Sequence, residues 1–174
     1  IYDIAPFRES FQILMHFVDK LTLDNIHLSH IDIGGGLGTL KEDTNQTNIK
    51  EFSKTIMNDC SGRTEKIIIE PGRSIVGNAG VLLMKTEYVK TNGEKNFAIV
   101  DAGMNDYLRP ALYQAEMEIK SVSPNSAQSK IYDIVGPVCE SGDFLGKDRE
   151  LSIETGDLLC LCDAGAYGFT MSSN

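Results

Sequence analysis

The stretch Lys66–Asn78, KIIIEPGRSIVGN, limits the possible folds of this chain more than any other. Three consecutive isoleucines predict a strand buried on both faces, the habit of a parallel sheet with helices packed on each side. That strand then meets Glu70, Pro71, Gly72 and Arg73. Proline cannot donate to a sheet ladder, and glycine lets the backbone turn or come close to a ligand. Glu70 and Arg73 are therefore opposite charges presented together at the carboxyl end of a strand, where parallel α/β folds bind their ligands. Taken alone, the stretch reads equally well as an ion pair capping a loop.

A second stretch of the same design lies upstream. Phe7, Phe11, Leu14, Met15, Val18 and Leu21 recur at three-and-four spacing, which predicts an amphipathic helix over 6–21 with Pro6 suited to its first turn. Leu28–Ile33 reads as a short strand running into Gly34, Gly35, Gly36, Leu37 and Gly38. The polar loop KEDTNQTN follows, then a helix turning Ile49, Phe52, Ile56 and Met57 inward, with Gly62 beyond its end. Helix, strand, helix, strand is α/β repetition with parallel strands.

After Gly80 the pattern changes. VLLMKTEYVK and KNFAIVDAG read as strands joined across Asn92-Gly93, and EMEIKSV, KIYDIVGPV and DLLCLCDAG as further strands. Ser121–Ser129, rich in serine, with Pro124 and Asn125, separates the first two of these. Helical character returns only at Gly165–Asn174. The expected organisation is an α/β part over 1–78, an antiparallel β-domain over 79–163, and the start of a helix over 164–174.

Net charge bounds the partners. At −9, with a pI near 4.8, nucleic acid and anionic membranes are poor partners. No apolar run is long enough to span a bilayer, and no signal peptide is visible. Cys60, Cys139, Cys160 and Cys162 form neither a CxxC pair nor a disulfide framework, so a reducing cytoplasm is the expected home. The chain starts at Ile1 rather than methionine, and a piece of a longer protein is the expectation.

Four motifs can carry chemistry. Gly34–Gly36 at a strand end exposes consecutive backbone N–H groups to an anion, typically a phosphate. It is not the dinucleotide fingerprint, because Thr39 stands where a third glycine is needed, and it is not a phosphate-binding Walker loop. A plain tight turn is the alternative, and Asp32 beside it reads as a buried hydrogen-bonding residue. In DAGMNDYLRPALYQA, a helical turn opened by Pro110 would set Arg109 and Tyr113 four apart on one side, a pair of donors for a carboxylate; a solvated loop with one surface arginine is the alternative, and locally the better-supported one. GPVCESGD puts Cys139 beside Glu140 and Asp143, a candidate proton donor among acids, although an isolated cysteine is usually a small core residue. GAYG brings Tyr167, whose hydroxyl can reach an anion or whose ring can simply pack. His16, His27 and His30 have no metal-ligand spacing.

Taken in order, GGGLG, EPGR, DAGMNDYLRPALY, GPVCESGD and GAYG resemble the diaminopimelate decarboxylases, pyridoxal-phosphate enzymes that make L-lysine from meso-diaminopimelate. EPGR and the glycine run are shared with ornithine and biosynthetic arginine decarboxylases; RPALY with CESGD points to the diaminopimelate branch. The resemblance implies the last strands of a (β/α)8 barrel followed by an antiparallel β-domain. It implies that Gly34, Gly35 and Gly36 hold the phosphate of pyridoxal 5'-phosphate, with Tyr167 adding a hydroxyl. Glu70 would face the pyridine nitrogen. Arg73, Arg109 and Tyr113 would bind substrate carboxylate or neighbouring polar groups, Glu140 the distal amino group, and Cys139 would return a proton after carbon dioxide leaves. It further implies a homodimer in which Cys139 and Glu140 enter the partner's site. The Schiff-base lysine of this family lies on an early barrel strand that these 174 residues do not contain, so this stretch alone is expected to be inactive. A sister decarboxylase of another basic amino acid or carboxylated polyamine, and a non-catalytic homologue of the same fold, are the alternatives.

Overall fold

Asp3 caps the first helix: its carboxylate accepts from the Ala5 N–H at 2.9 Å, satisfying one of the free donors at a helix start. The computed structural model describes residues 3–39, 49–124 and 126–174, so the polar stretch expected as a loop over 41–48 lies outside the described residues. The chain forms two compact units, 1–75 and 76–174.

In the first unit, helix α1 (Ile4–Leu23) is followed by strand β1 (His30–Asp32), helix α2 (Ile49–Asp59) and strand β2 (Lys66–Ile68). Pro6 falls in the first turn of α1, and the chain leaves the helix through Asn25 at φ 61, a left-handed stop. β1 and β2 pair in parallel, Ile31 opposite Ile67. Phe7, Phe11, Met15 and Val18 of α1 meet Phe52 and Ile56 of α2 over Ile31. Phe7 and Phe52 stack edge to face at 4.8 Å. Arg8 and Asp59 tie the two helices by paired bonds of 2.7 and 2.8 Å.

Two expectations fail here. Ile68, the last residue of β2, and Ile69 just beyond it are 42% and 44% exposed, so among the described residues the isoleucine run is not buried on both faces. Within this unit the sheet has two strands and the helix side chains cover only the Ile31–Ile67 side. Ile49 and Met57, both expected inward, are exposed; the i, i+4 pair Phe52 and Ile56 supplies the buried stripe of so short a helix, with Ile49 at its first residue and Met57 past the edge of the stripe.

A short helix α3 (Arg73–Val76) and a 3-10 turn (Gly77–Ala79) lead on to the β elements. These are β3 (Leu82–Asn92), β4 (Lys95–Val100), helix α4 (Arg109–Tyr113), β5 (Ile119–Ser121), β6 (Lys130–Val135), β7 (Phe144–Leu151) and β8 (Leu158–Leu161). The strands form one sheet in the order β5-β8-β3-β4-β6-β7. Ile119 of edge strand β5 lies against Gly146 of edge strand β7, where an added Cβ would sit 2.8 Å from the isoleucine Cδ1. The sheet thus curls into a nearly closed barrel around Met84, Val100, Tyr107, Ile134, Leu145, Leu159 and Leu161. Fully burying each such aliphatic side chain stabilises the fold by about 1.5–3 kcal/mol.

The pairings are antiparallel save one: β4 runs parallel to β6, from Asn96 opposite Tyr132 to Ile99 opposite Val135. Parallel neighbours need a crossover, and residues 101–129 supply it. The hairpin between β3 and β4 turns on Gly93 and Glu94, with Asn92 paired to Lys95 and Gly93 at φ 61. β7 was not foreseen, because its alternation is broken: the register with β6 shifts around Asp133, and Asp148 adopts φ 53 while its N–H donates to the Asp133 carboxylate at 3.0 Å. Residues 164–171 form successive turns instead of a helix start, with Asp163 and Tyr167 at φ 59 and 65. No helix among the described residues is long and apolar enough to cross a membrane.

Thr86 in β3 is fully buried, and its hydroxyl has no hydrogen-bond partner among the described residues. A valine keeps the shape and removes the unpaired polar atom, so Thr86→Val in the full-length protein is expected to raise stability by about 1 kcal/mol. Denaturant titration checks this, and a loss of stability would show that the hydroxyl is satisfied in solution.

Candidate active site

The residues picked out by motif fall into two groups, one in each unit. In the first unit β1 and β2 end side by side, and the backbone beyond them stays knitted. Ile33 N–H donates to the Ile68 carbonyl at 3.0 Å and Glu70 N–H to the Gly34 carbonyl at 2.8 Å. Gly34 and Gly36 have φ of 70 and 104, the left-handed region that side chains avoid. Gly35 is required for another reason: a Cβ there would run into the carbonyl oxygen of Glu70. The glycine run is what allows the Glu70 segment to lie against it.

Asp32 takes part through its side chain, Oδ1 accepting from the Gly34 N–H at 2.8 Å. It is exposed rather than buried, because it sits at the open end of β1. The structure therefore brings Gly34, Gly35 and Gly36 together with Glu70, and sets Arg73, half-buried, at the start of α3. The backbone of Gly34 and Gly35 also borders a cavity of about 120 Å³ otherwise walled largely by apolar side chains such as Phe7, Leu37 and Phe52. Backbone N–H groups of glycines at a strand end can receive an anion, and a carboxylate, Glu70, belongs to the neighbouring strand end.

In the second unit, Pro110 does open a helical turn, and Arg109 and Tyr113 bracket α4 as the spacing implied. The Arg109 guanidinium carbon lies 5.8 Å from the centre of the Tyr113 ring and 5.7 Å from that of Tyr167. Two aromatic faces hold one cation, an attraction worth about 0.5–1 kcal/mol each at exposed sites. Tyr167 reaches this place because its backbone is left-handed, and because Gly168 leaves no side chain between the Ala164 carbonyl and the Tyr107 ring. The motif reading linked Arg109 with Tyr113 only; Tyr167 joins them through the fold.

Cys139 and Glu140 are exposed on the loop 136–143. Asp143, by contrast, is 4% exposed, its carboxylate accepting from Met104 N–H at 2.6 Å and Val138 N–H at 2.7 Å. Asp106 plays a similar local part, accepting from Gly103 N–H at 2.8 Å. The sequence reading placed Asp143 beside Cys139 as a charge; its burial could have been suspected from its glycine neighbour, but its partner Met104 lies far away in sequence. Cys162, beyond the end of β8, is pushed up to about 11 by burial and by the adjoining Cys160 thiol.

A family profile described as "Pyridoxal-dependent decarboxylase, C-terminal sheet domain" matches residues 1–165. The chain belongs to the pyridoxal-dependent decarboxylases. Within that class it is similar to diaminopimelate decarboxylases: it is 49% identical to the Pseudomonas aeruginosa enzyme over 171 residues, 98% of this chain and 41% of that protein. The crystal structure of diaminopimelate decarboxylase from Helicobacter pylori complexed with L-lysine superposes with a TM-score of 0.87 at 40% identity, covering 99% of this chain and 43% of that one. For the M. jannaschii enzyme in co-complex with L-lysine the TM-score is 0.90 at 36% identity, with 100% and 42% covered. The chain thus spans about two fifths of the length of the relatives it matches.

Because even one added carbon at Gly35 meets the Glu70 carbonyl, Gly35→Ala should force the two strand ends apart. The expected cost in the full-length protein is about 1–3 kcal/mol, as for other overpacked positions. A denaturation midpoint equal to wild type would mean that the Glu70 peptide shifts freely.

Proposed function

We propose that this chain is the carboxyl-terminal part of a diaminopimelate decarboxylase, which removes carbon dioxide from meso-diaminopimelate to give L-lysine with pyridoxal 5'-phosphate as cofactor. The observation that carries the proposal is the Arg109 guanidinium held between the Tyr113 and Tyr167 rings, a built group for a carboxylate, in a chain nearly half identical to such an enzyme.

Bound pyridoxal phosphate supplies an electron sink for the pair left when the carbon–carboxylate bond breaks. Glu70, whose backbone is fixed to the glycine run, is the group to hold the ring nitrogen in its protonated form. Gly34, Gly35 and Gly36 give the phosphate its close approach, and the Gly34 N–H, donating to Asp32, shapes the turn. Tyr167 adds a hydroxyl to the phosphate side of this reading. Arg73, Arg109 and Tyr113 hold substrate carboxylate or neighbouring polar groups, and Glu140 receives the distal ammonium. Cys139 delivers its proton to the α-carbon that has lost carbon dioxide. The lysine that carries the cofactor belongs to a segment outside these 174 residues.

The active unit in this proposal is a homodimer in the cytoplasm, Cys139 and Glu140 serving the partner's site. The exposed Ile68 at the end of β2 and Ile69 just beyond it are side chains that further barrel elements would cover.

Glu70→Gln in the full-length enzyme is expected to lower kcat by about 100-fold or more with cofactor still bound, since a neutral amide does not stabilise a protonated ring nitrogen. Turnover near wild type would remove Glu70 from this role. The shared site is tested by mixing Cys139→Ala with a variant lacking the cofactor lysine. Random exchange makes half the dimers mixed, each with one complete site, so about a quarter of wild-type activity should return. An exchanged but inactive mixture would assign Cys139 to its own subunit's site.

A further inference from the structure

The last ladder pair between β4 and β6 joins Ile99 to Val135, and beyond it the two strands release separate loops. One, 101–108, leads through the buried Tyr107 into Arg109; the other, 136–143, carries Cys139 and Glu140. The Asp143 carboxylate bridges them. It bonds Met104 N–H of the first loop through Oδ1 at 2.6 Å, and Val138 N–H of the second through Oδ2 at 2.7 Å. Two glycines make the space. A Cβ on Gly136 would stand 2.5 Å from Oδ2 and 2.6 Å from the Gly103 Cα, and a Cβ on Gly103 would stand 3.1 and 3.2 Å from the two carboxylate oxygens. A carboxylate is all acceptor, so both its oxygens can face N–H donors; an amide of the same shape must turn an NH2 toward one of them.

We infer that Asp143 is a positioning residue, which clamps the loop bearing Cys139 and Glu140 to the loop that leads into Arg109. The clamp is a feature of the described geometry; its consequence for turnover rests on the proposed decarboxylase function. A group that must deliver a proton to a given carbon loses much of its effect when displaced by about 1 Å, on the order of 100-fold.

The test uses full-length holoenzyme carrying Asp143→Asn, with Gly103→Ala as a milder variant that crowds the carboxylate without deleting it. Two readouts are taken: kcat and KM for meso-diaminopimelate per cofactor-loaded site, and the alkylation rate of each cysteine by iodoacetamide, resolved by mass spectrometry. The expected result for Asp143→Asn is a fall of about 100-fold in kcat/KM, most of it in kcat, with unchanged cofactor affinity. Gly103→Ala should fall about 10-fold. In both, the alkylation rate of Cys139 alone should change, while Cys160 in β8 and Cys162 just beyond it, both half-buried, keep their wild-type rates. Activity within threefold of wild type overturns the inference, as does a loss in which Cys160 and Cys162 also become reactive, because that reports general unfolding. If the wild-type enzyme does not decarboxylate this substrate, the functional proposal fails. The alkylation pattern then still decides whether Asp143 holds the Cys139 loop.

Discussion

β4 and β6 lie side by side and run in the same direction, and much of the second unit follows from that. Parallel neighbours cannot be joined by a tight turn, so the chain must leave the end of β4, cross, and return to the start of β6. The crossover holds the buried Tyr107, the short helix α4 with Arg109 and Tyr113, and β5. Because β4 and β6 also finish at the same end, the loops that leave them are neighbours. A sheet built wholly of hairpins would have sent these two loops to opposite ends.

The first unit depends on a similar adjacency at smaller scale. β1 and β2 are each three residues long, yet the hydrogen bonding continues past both, from Ile33 to Ile68 and from Glu70 to Gly34. That continuation needs a residue without a side chain at Gly35, and backbone torsions at Gly34 and Gly36 that other residues adopt at a cost. Both units therefore place their candidate groups just beyond the ends of parallel strands. The ladder has stopped there, but its order is prolonged by particular contacts.

Charge in the second unit is used mainly to shape backbone. Asp101 accepts from Lys85 N–H at 2.7 Å, Asp106 from Gly103, Asp133 from Asp148 and Asp143 from Met104 and Val138. An acid that caps backbone N–H groups, as Asp143 does, has its hydrogen bonds satisfied without a cation while keeping its charge; Asp133 also meets Lys95 Nζ at 3.2 Å. Arg109, by contrast, lies over the rings of Tyr113 and Tyr167.

Much was legible in the sequence, for reasons that are local. The three-and-four spacing from Phe7 to Val18 specifies which face of α1 is buried, whatever it packs on. Pro110 fixes a first turn that sets Arg109 and Tyr113 together, and the glycine run with EPGR marks two strand ends by residues few other contexts require. The five ordered motifs carried the family. What stayed hidden was non-local. β7 lost its alternation where its register with β6 shifts, at the place where the Asp148 N–H bonds Asp133 across the strands. Three isoleucines in a row announce a strand but do not say how many layers will cover it, and Ile68 and Ile69 remain open. Tyr167 meets Arg109, and Asp143 meets Met104, across separations in sequence that no periodicity encodes. Local stereochemistry and apolar spacing thus determined the elements and the candidate groups. Only the tertiary structure decided which groups meet, because that depends on the direction in which neighbouring strands run.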